Sequence, residues 1–485
     1  MRKTKIIVTI GPSSNDEETL SRLISDGMDC ARLNFSHGTH DEHATVIERI
    51  RRLAKEQNKT VGILQDLGGI KLRLGRLAEA RQLNLGDEVV ITADDESSTP
   101  DILPFPQPGV IRNLQVGSFV FIADGTVQLE VTEITPDRAF CRVLSSGVVS
   151  SFKGVNLPGV PIDQPVFTDK DKRDLIFGVE QQVDWVAVSF VRTANDILYA
   201  RRYLNAAGSK ALVMAKLERG EGIENLDSIL PEVDSVMVAR GDLGVEIPME
   251  RVPRVQRLIV DKANAAGKGV VIATQMLRSM VISPTPTRAE VSDVSNAVLE
   301  GTDSILLSDE TAMGQYPVEA LRVAVSTINE AESEDLYPYF KDMGTHDRTQ
   351  AITSAAAGLV KTLDSKPIVL TSTGRAALEL ARFRPINDIL AFSHDPAVLR
   401  KLCLGWGIQP TGVIPVQPDV AELVYQVIQS ALDLGAVSEN DVVTIVHGFL
   451  TGVSGTTNAV QVLSIREYLE NVGRRRAEQM VEMPL

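Results

Sequence analysis

Eight short apolar runs punctuate the first two thirds of the chain: Ile6–Ile10, Cys30–Phe35, Val61–Leu67, Trp185–Phe190, Leu212–Leu217, Ser235–Ala239, Gly269–Thr274 and Ser304–Ser308. They are rich in β-branched residues and apolar at nearly every position, the pattern of strands covered on both faces. Amphipathic stretches of helical period, such as Glu17–Ile24 and Arg251–Ala266, lie between most of them. This alternation predicts βαβ repetition with parallel strands, and eight units predict a (β/α)8 TIM barrel of the α/β class. Such a barrel places its active site at the carboxyl ends of the strands. Here those ends carry Asn34, Asp66, Ser189, Lys216, Glu218, Asp242, Thr274 and Glu310.

Between the third and fourth runs the helical period disappears. Alternating segments at Glu88–Thr92, Phe119–Ile122, Val127–Ile134 and Ala139–Leu144, separated by Gly, Pro and Asp-Gly turns, predict an inserted β domain. After the eighth run and its helix a polar stretch through Arg348 marks a boundary. Beyond it, strands expected near Ile368–Thr371, Ile389–Phe392, Gly412–Pro415, Val442–Val446 and Val460–Ile465 make a second α/β unit. The predicted division is a barrel from 1–71 and 168–345, an insertion over 72–167 and a last unit over 346–485. The final twenty residues, with Arg474, Arg475 and Arg476, read as a surface helix or frayed tail.

Composition narrows the function. A chain of 485 residues exceeds what one core serves, in keeping with several domains. A net charge of −15 opposes nucleic-acid binding, which rests on basic residues facing phosphates. Three scattered cysteines argue for buried thiols in a reducing compartment. The amino-terminal apolar run is too short for a signal peptide, and no run reaches the roughly 18 residues of a membrane span, so the cytoplasm is the expected location and no membrane partner is expected. Neither a Walker-type nor a Rossmann phosphate loop is present.

The chemistry gathers at two strand ends. The segment L-V-M-A-K-L-E-R-G delivers Lys216 and Glu218, and S-V-M-V-A-R-G-D-L-G delivers Arg240 and Asp242. Two carboxylates are hard-oxygen ligands of the kind Mg²⁺ takes while keeping water and substrate oxygens for its other positions. Lys216, two residues before Glu218, shares its strand face and suits a developing oxyanion. Surface salt bridges to Arg219 or Arg240, a solvated lysine and a Schiff-base lysine are the competing readings. Arg240-Gly241-Asp242-Leu243-Gly244 suits an anion at converging N–H groups, or is an ordinary tight turn. In A-R-L-N-F-S-H-G, Arg32 fits a phosphate, while Asn34, Ser36 and Asp66 fit a monovalent or polar ligand. His37, His40 and His43 recur every third residue, but read as a loop entering a helix rather than a zinc site. The glycines of Asp66-Leu67-Gly68-Gly69-Ile70-Lys71-Leu72-Arg73 permit close ligand approach or a hinge. In the last unit Thr371, Ser372, Thr373, Gly374 and Arg375 follow a strand, and Gly448, Gly452, Gly455, Thr456 and Thr457 form a second flexible loop. Together they suit a phosphorylated effector; two plain αβ turns are the alternative.

These motifs, with K-G-V-N-L-P-G (Lys153 to Gly159), V-A-R-G-D-L-G-V-E-I-P, A-T-Q-M-L and P-T-R-A-E (Pro286 to Glu290), resemble the pyruvate kinase family from Thr4 through Asn458. The resemblance implies a (β/α)8 barrel with an inserted β-barrel lid domain and a C-terminal α/β effector and oligomerisation domain, in a homotetramer. It implies transfer of the phosphoryl group of phosphoenolpyruvate to ADP, giving pyruvate and ATP. Glu218 and Asp242 would bind Mg²⁺, or Mn²⁺ in its place; Lys216 and Arg32 would face the phosphoryl group. Gly241 and Asp242 would take the substrate carboxylate on their backbone, Thr274 would sit by the carbon that is protonated, and Asn34, His37, Arg73 and Lys153 would contact the nucleotide. Asn34, Ser36, Asp66 and Leu67 occupy the monovalent-cation positions. Lys71 stands where members that require K⁺ carry Glu, so its ammonium is expected to replace K⁺ near Asn34, Ser36 and Asp66. Further departures from the family pattern are Ile70, Ala123, Thr285 and Asp309. The rival readings are a Mg²⁺-dependent lyase or aldolase of the phosphoenolpyruvate and pyruvate barrels, and a silent metabolite sensor.

Overall fold

A computed structural model describes residues 2–472 apart from 163–165, 334–336, 338, 340, 342, 418, 450, 451 and 454. The basic tail at 474–476 lies outside the described residues.

Eight parallel strands close into a ring in chain order: Lys5–Thr9, Cys30–Asn34, Gly62–Asp66, Trp185–Val188, Leu212–Leu217, Ser235–Ala239, Gly269–Ala273 and Ser304–Leu307. The first and eighth pair from Lys5 with Ser304 to Val8 with Leu307. Side-chain alternation splits each strand between two cores. Ile7, Leu64, Met214, Met237, Val271 and Leu306 fill the inside of the barrel. Ile6, Val8, Ile63, Val213, Val236 and Ile305 pack outward against the helices. Met214 points inward, so Lys216, two residues on, occupies the same face nearer the carboxyl end.

Between the strands the helices start on side-chain caps. Thr39, Thr168 and Thr287 each form a capping box, with Glu42, Asp171 and Glu290 respectively, which satisfies N–H groups that the first turn leaves unpaired.

The insertion has a core of its own, built on Val89, Ile91, Val120, Leu129, Val131 and Val143 among others. Its main sheet is open and six-stranded, in the order Val155–Asn156, Phe119–Ile122, Val127–Thr135, Arg138–Ser145, Glu88–Thr92 and Ile102–Pro104. Two ribbons flank it, Arg81–Leu83 with Gly147–Val149 and Arg76–Leu77 with Glu96–Ser97. A continuous barrel was expected from the resemblance; the edge strands here have only two and three residues, too short a ladder to close on each other. The insertion reaches back over the barrel mouth, where Asn156 donates to Glu246 at 3.2 Å.

The last unit is a five-stranded sheet in the order Ile408–Val413, Ile389–Ser393, Lys366–Leu370, Val442–Gly448 and Thr457–Ser464, the final strand antiparallel. It attaches at the opposite, amino-terminal end of the barrel. Trp185 donates to the Lys401 carbonyl at 3.0 Å, and Arg384 to Asp303 at 2.8 Å. The expected strand at Gly412–Pro415 instead runs Ile408–Val413, because an edge strand tolerates the Pro410 that disguised it.

Candidate active site

At the carboxyl end of the barrel, Lys216 is held by three groups, two from other strand ends and one from the end of its own. Its ammonium donates to Ser189 Oγ at 2.8 Å and lies 3.0 Å from Glu218 and 3.2 Å from Asp66. Burial alone would depress the lysine, but the two carboxylates outweigh it and hold its pKa above the usual value. The cation therefore persists in a buried setting. Asp66, 1% exposed, is opposed by burial yet held below the ordinary carboxylate value by Lys216 and Arg32. Arg32 donates from Nε to Asp66 at 2.7 Å and from Nη1 to Thr9 at 3.0 Å.

Glu218 has the opposite balance. Burial raises its pKa, the charges of Asp242 and Asp66 add to the rise, and Lys216 opposes it. Its second oxygen accepts from the Phe190 N–H at 2.8 Å, a donor presented by a left-handed backbone at φ 56°. Asp242, on the short helix Arg240–Glu246 that opens after the sixth strand, is more exposed and pairs with Lys71 at 3.3 Å. Each of the two carboxylates thus faces an ammonium. Among the described residues no cluster of three or more His, Cys, Asp or Glu side chains forms, so the donor set is this pair. Two hard carboxylates fit Mg²⁺, which leaves most of its octahedron to water and substrate, better than they fit zinc.

Gly241 donates its N–H to Thr274 Oγ1 at 2.8 Å, joining the sixth and seventh strand ends. Arg240 donates to the Thr274 carbonyl at 2.7 Å and to Asp293 at 2.8 Å. Neither Asp293 nor the Phe190 N–H was foreseeable: one lies 53 residues away on another helix, the other is a backbone group. Ser189 stood out at its strand end, and here it bridges Lys216 to the Leu67 carbonyl at 2.7 Å. Glu310 is structural, accepting from the Leu277 and Ser308 N–H groups at 3.0 and 2.7 Å.

The structure corrects the place expected for Lys71. Its ammonium lies at Asp242 and 3.7 Å from Asp124 of the insertion, and no contact joins it to Asn34, Ser36 or Asp66. The cause is the chain path: Lys71 follows the Gly68-Gly69 turn, where the backbone leaves the barrel for the insertion, so its side chain spans the two. Asn34 Oδ1 accepts from the Ser36 N–H at 3.1 Å, and Asp66 and the Leu67 carbonyl already have protein partners.

Arg73 and Lys153 come together in the insertion. The Arg73 guanidinium donates to the Phe152 carbonyl at 3.0 Å, and the exposed Lys153 is the next residue. The three histidine rings take different partners: His40 meets Asp174 at 2.8 Å and stacks on Phe177, His43 stacks on Phe35 and reaches the His37 carbonyl at 3.0 Å, and the His37 side chain is exposed.

In the last unit, a pocket joins Thr371, Ser372, Thr373 and Arg375 to Gly448, Gly452 and Gly455. Gly374, at φ 93°, turns the chain so that its N–H reaches Thr371 Oγ1 at 2.9 Å, and Arg375 pairs with Asp347 at 2.5 Å. The pocket spans the carboxyl ends of four strands, including Lys366–Leu370 and Val442–Gly448, between which the strand order reverses. Among the described residues no helix is long and apolar enough to cross a membrane.

Comparison with known proteins adds an independent line. The family model "Pyruvate kinase, barrel domain" matches residues 1–321, and "Pyruvate kinase, alpha/beta domain" matches 350–463. A pyruvate kinase of Staphylococcus epidermidis is 39% identical over 98% of this chain and 83% of its own length. Pyruvate kinase 2 of a Synechocystis species is 42% identical over 96% of this chain and 80% of its own. A crystal structure of a pyruvate kinase from Cryptosporidium parvum superposes with a TM-score of 0.88 at 34% identity, covering 95% of this chain and 96% of the other. Barrel, last unit and nearly the whole length agree: the chain belongs to the pyruvate kinase family of phosphotransferases.

Proposed function

We propose that this site moves the phosphoryl group of phosphoenolpyruvate to ADP, yielding pyruvate and ATP. The observation that carries the reading is the Lys216 ammonium, locked between Glu218 and Asp66 at the barrel mouth. Phosphoryl transfer asks mainly for positioning and charge neutralisation, which such a group supplies. Glu218 and Asp242 hold Mg²⁺, with Mn²⁺ as a substitute. Bound there, the ion would supply positive charge to phosphate and enolate oxygens. Lys216 and Arg32 face the phosphoryl group, and Lys216 stabilises the enolate oxygen. The N–H groups of Gly241 and Asp242 take the substrate carboxylate, and Thr274 stands by the carbon that gains a proton. Arg73 and Lys153 approach the nucleotide phosphates from the insertion, with Asn34 and His37 on the barrel side.

Two observations weigh against the rival readings. A Schiff-base lysine must be neutral to attack a carbonyl, whereas Lys216 is held as a cation. A silent sensor has no use for Lys216, Glu218, Asp242 and Thr274 standing together at the strand ends of one barrel mouth. The monovalent cation is dispensable in our reading: Lys71 supplies a fixed positive charge at the mouth, beside Asp242. The Thr371–Arg375 pocket binds a phosphorylated effector. The barrel at 1–71 and 168–345, the lid at 72–167 and the unit at 346–485 act as separate domains.

The test is pyruvate formation by the full chain. The reading expects product only when phosphoenolpyruvate, ADP and a divalent cation are all present. Absence of any Mg²⁺-dependent product would restore the lyase or the sensor, and pyruvate released without ADP would show hydrolysis in place of transfer.

A further inference from the structure

Thr274 ends the seventh strand at φ 69°, and Gln275 follows at φ 58°. A β-branched residue rarely enters this left-handed region, and two consecutive non-glycine residues persist there only when their surroundings hold them. The holding group is Arg240. Its Nη2 donates to the Thr274 carbonyl at 2.7 Å, its Nε to the Ala273 carbonyl at 3.4 Å, and its Nη1 to Asp293 at 2.8 Å. Asp293 belongs to the helix Arg288–Glu300, so the guanidinium ties the strained peptide to a rigid element. Arg240 also begins the helix that carries Gly241 and Asp242, so its side chain grips the seventh strand end while its backbone starts the substrate loop.

The Thr274 hydroxyl is committed on both sides. It donates its one proton to the Ala273 carbonyl at 2.6 Å and accepts the Gly241 N–H at 2.8 Å. That N–H is the donor assigned above to the substrate carboxylate. The threonine hydroxyl therefore holds the same N–H that the substrate carboxylate would take.

We infer that Arg240 is a positioning residue that keeps Thr274 in its left-handed conformation while the threonine hydroxyl exchanges partners. When a carboxylate takes the Gly241 N–H, the hydroxyl loses that donor and turns its proton from the Ala273 carbonyl toward the reacting carbon. The backbone does not move with it, because the guanidinium fork still holds the Thr274 carbonyl. Lysine keeps the charge but lacks the planar fork that grips a carbonyl and Asp293 together. The inference rests on the proposed roles of Gly241 and Thr274 and adds how they are kept in register.

Arg240→Lys, Arg240→Ala and Asp293→Asn test it in the full chain, with three readouts: steady-state kinetics, thermal unfolding, and exchange of pyruvate methyl protons for solvent deuterons in the presence of Mg²⁺ and ATP. Misplacement of one reacting group predicts that Arg240→Lys lowers kcat and the methyl exchange rate each by about 100-fold. KM for ADP stays within about twofold, since uniform binding is untouched. Asp293→Asn follows in the same direction with about a tenfold loss, and guanidinium ion restores about tenfold of the methyl exchange to Arg240→Ala. Wild-type exchange in Arg240→Lys overturns the inference. So does a loss that guanidinium does not relieve and that tracks a fallen unfolding midpoint, the mark of a structural role alone. A wild-type chain that makes no pyruvate overturns the underlying reading instead.

Discussion

The Lys216 ammonium lies 3.0 Å from the Glu218 carboxylate, and both side chains are almost wholly buried. The Glu218 charge is costly there without this cation, whereas Lys216 also faces Asp66 at 3.2 Å. Replacing Lys216 by Met leaves Glu218 without its cation, at a cost of about 3–5 kcal/mol of folding stability in urea titration. The same change removes the group aimed at developing negative charge and lowers kcat by about 10²–10³-fold. A variant that unfolds like wild type would show that Glu218 is solvated rather than buried.

Asp66 and Glu218 titrate in opposite directions. The Asp66 carboxyl is held below its ordinary 3.8 despite burial, because Lys216 and Arg32 face it. A depressed folded-state pKa contributes stability that is present above pH 3.8 and is lost as pH falls through the folded value. Asp66→Asn therefore loses less stability than wild type as the solution is taken from about pH 5 to pH 3. Glu218 is raised above its ordinary 4.5 by burial, with Asp242 and Asp66 adding. In the metal-free protein the Glu218 carboxyl accordingly titrates above 4.5 when followed by carboxyl NMR, and a value below 4.5 would contradict the burial that raises it.

Lys71 gives the ion-dependence prediction. Its ammonium already sits 3.3 Å from Asp242. Exchange of K⁺ for tetramethylammonium in the assay leaves kcat within about twofold, whereas Lys71→Glu reverses the charge beside Asp242 and loses activity in both salts. A large loss in wild type on removal of K⁺ alone would refute the substitution of Lys71 for the monovalent ion.

Arg384 joins the last unit to the barrel floor. It is 1% exposed and donates to Asp303 at 2.8 Å, to Asn264 Oδ1 at 3.1 Å and to the Gly301 carbonyl at 2.8 Å, where the helix Arg288–Glu300 ends. Arg384→Met strands Asp303 and a helix carbonyl, and denaturant titration is expected to read a loss of about 3–5 kcal/mol. An unchanged midpoint would mean that water replaces all three contacts.

The barrel was legible because its strands are covered on both faces: continuous runs such as Ser235–Ala239 and Leu212–Leu217 admit little else. Lys216, Glu218 and Asp242 were legible for the same reason, as charge set abruptly at the ends of apolar runs. What the sequence hid has three physical causes. Edge strands carry weak patterns, so the strand Ile408–Val413 was expected at Gly412–Pro415 and the two- and three-residue strands of the insertion left no period at all. Backbone donors such as the Phe190 N–H belong to no residue type. Side-chain reach depends on where the chain turns, which is why Lys71 was expected at Asp66 and meets Asp242 instead.

The central claim is that Glu218 and Asp242 hold the divalent cation that phosphoryl transfer requires. Its most direct test is a Mg²⁺ titration of pyruvate formation from phosphoenolpyruvate and ADP in wild type, Glu218→Gln and Asp242→Asn. The account predicts no product without Mg²⁺ in wild type, and in each variant a half-saturating Mg²⁺ concentration raised by about tenfold or more, as removal of one of two charged ligands implies. Pyruvate formation that is independent of Mg²⁺, or an unchanged Mg²⁺ requirement in both variants, would contradict it.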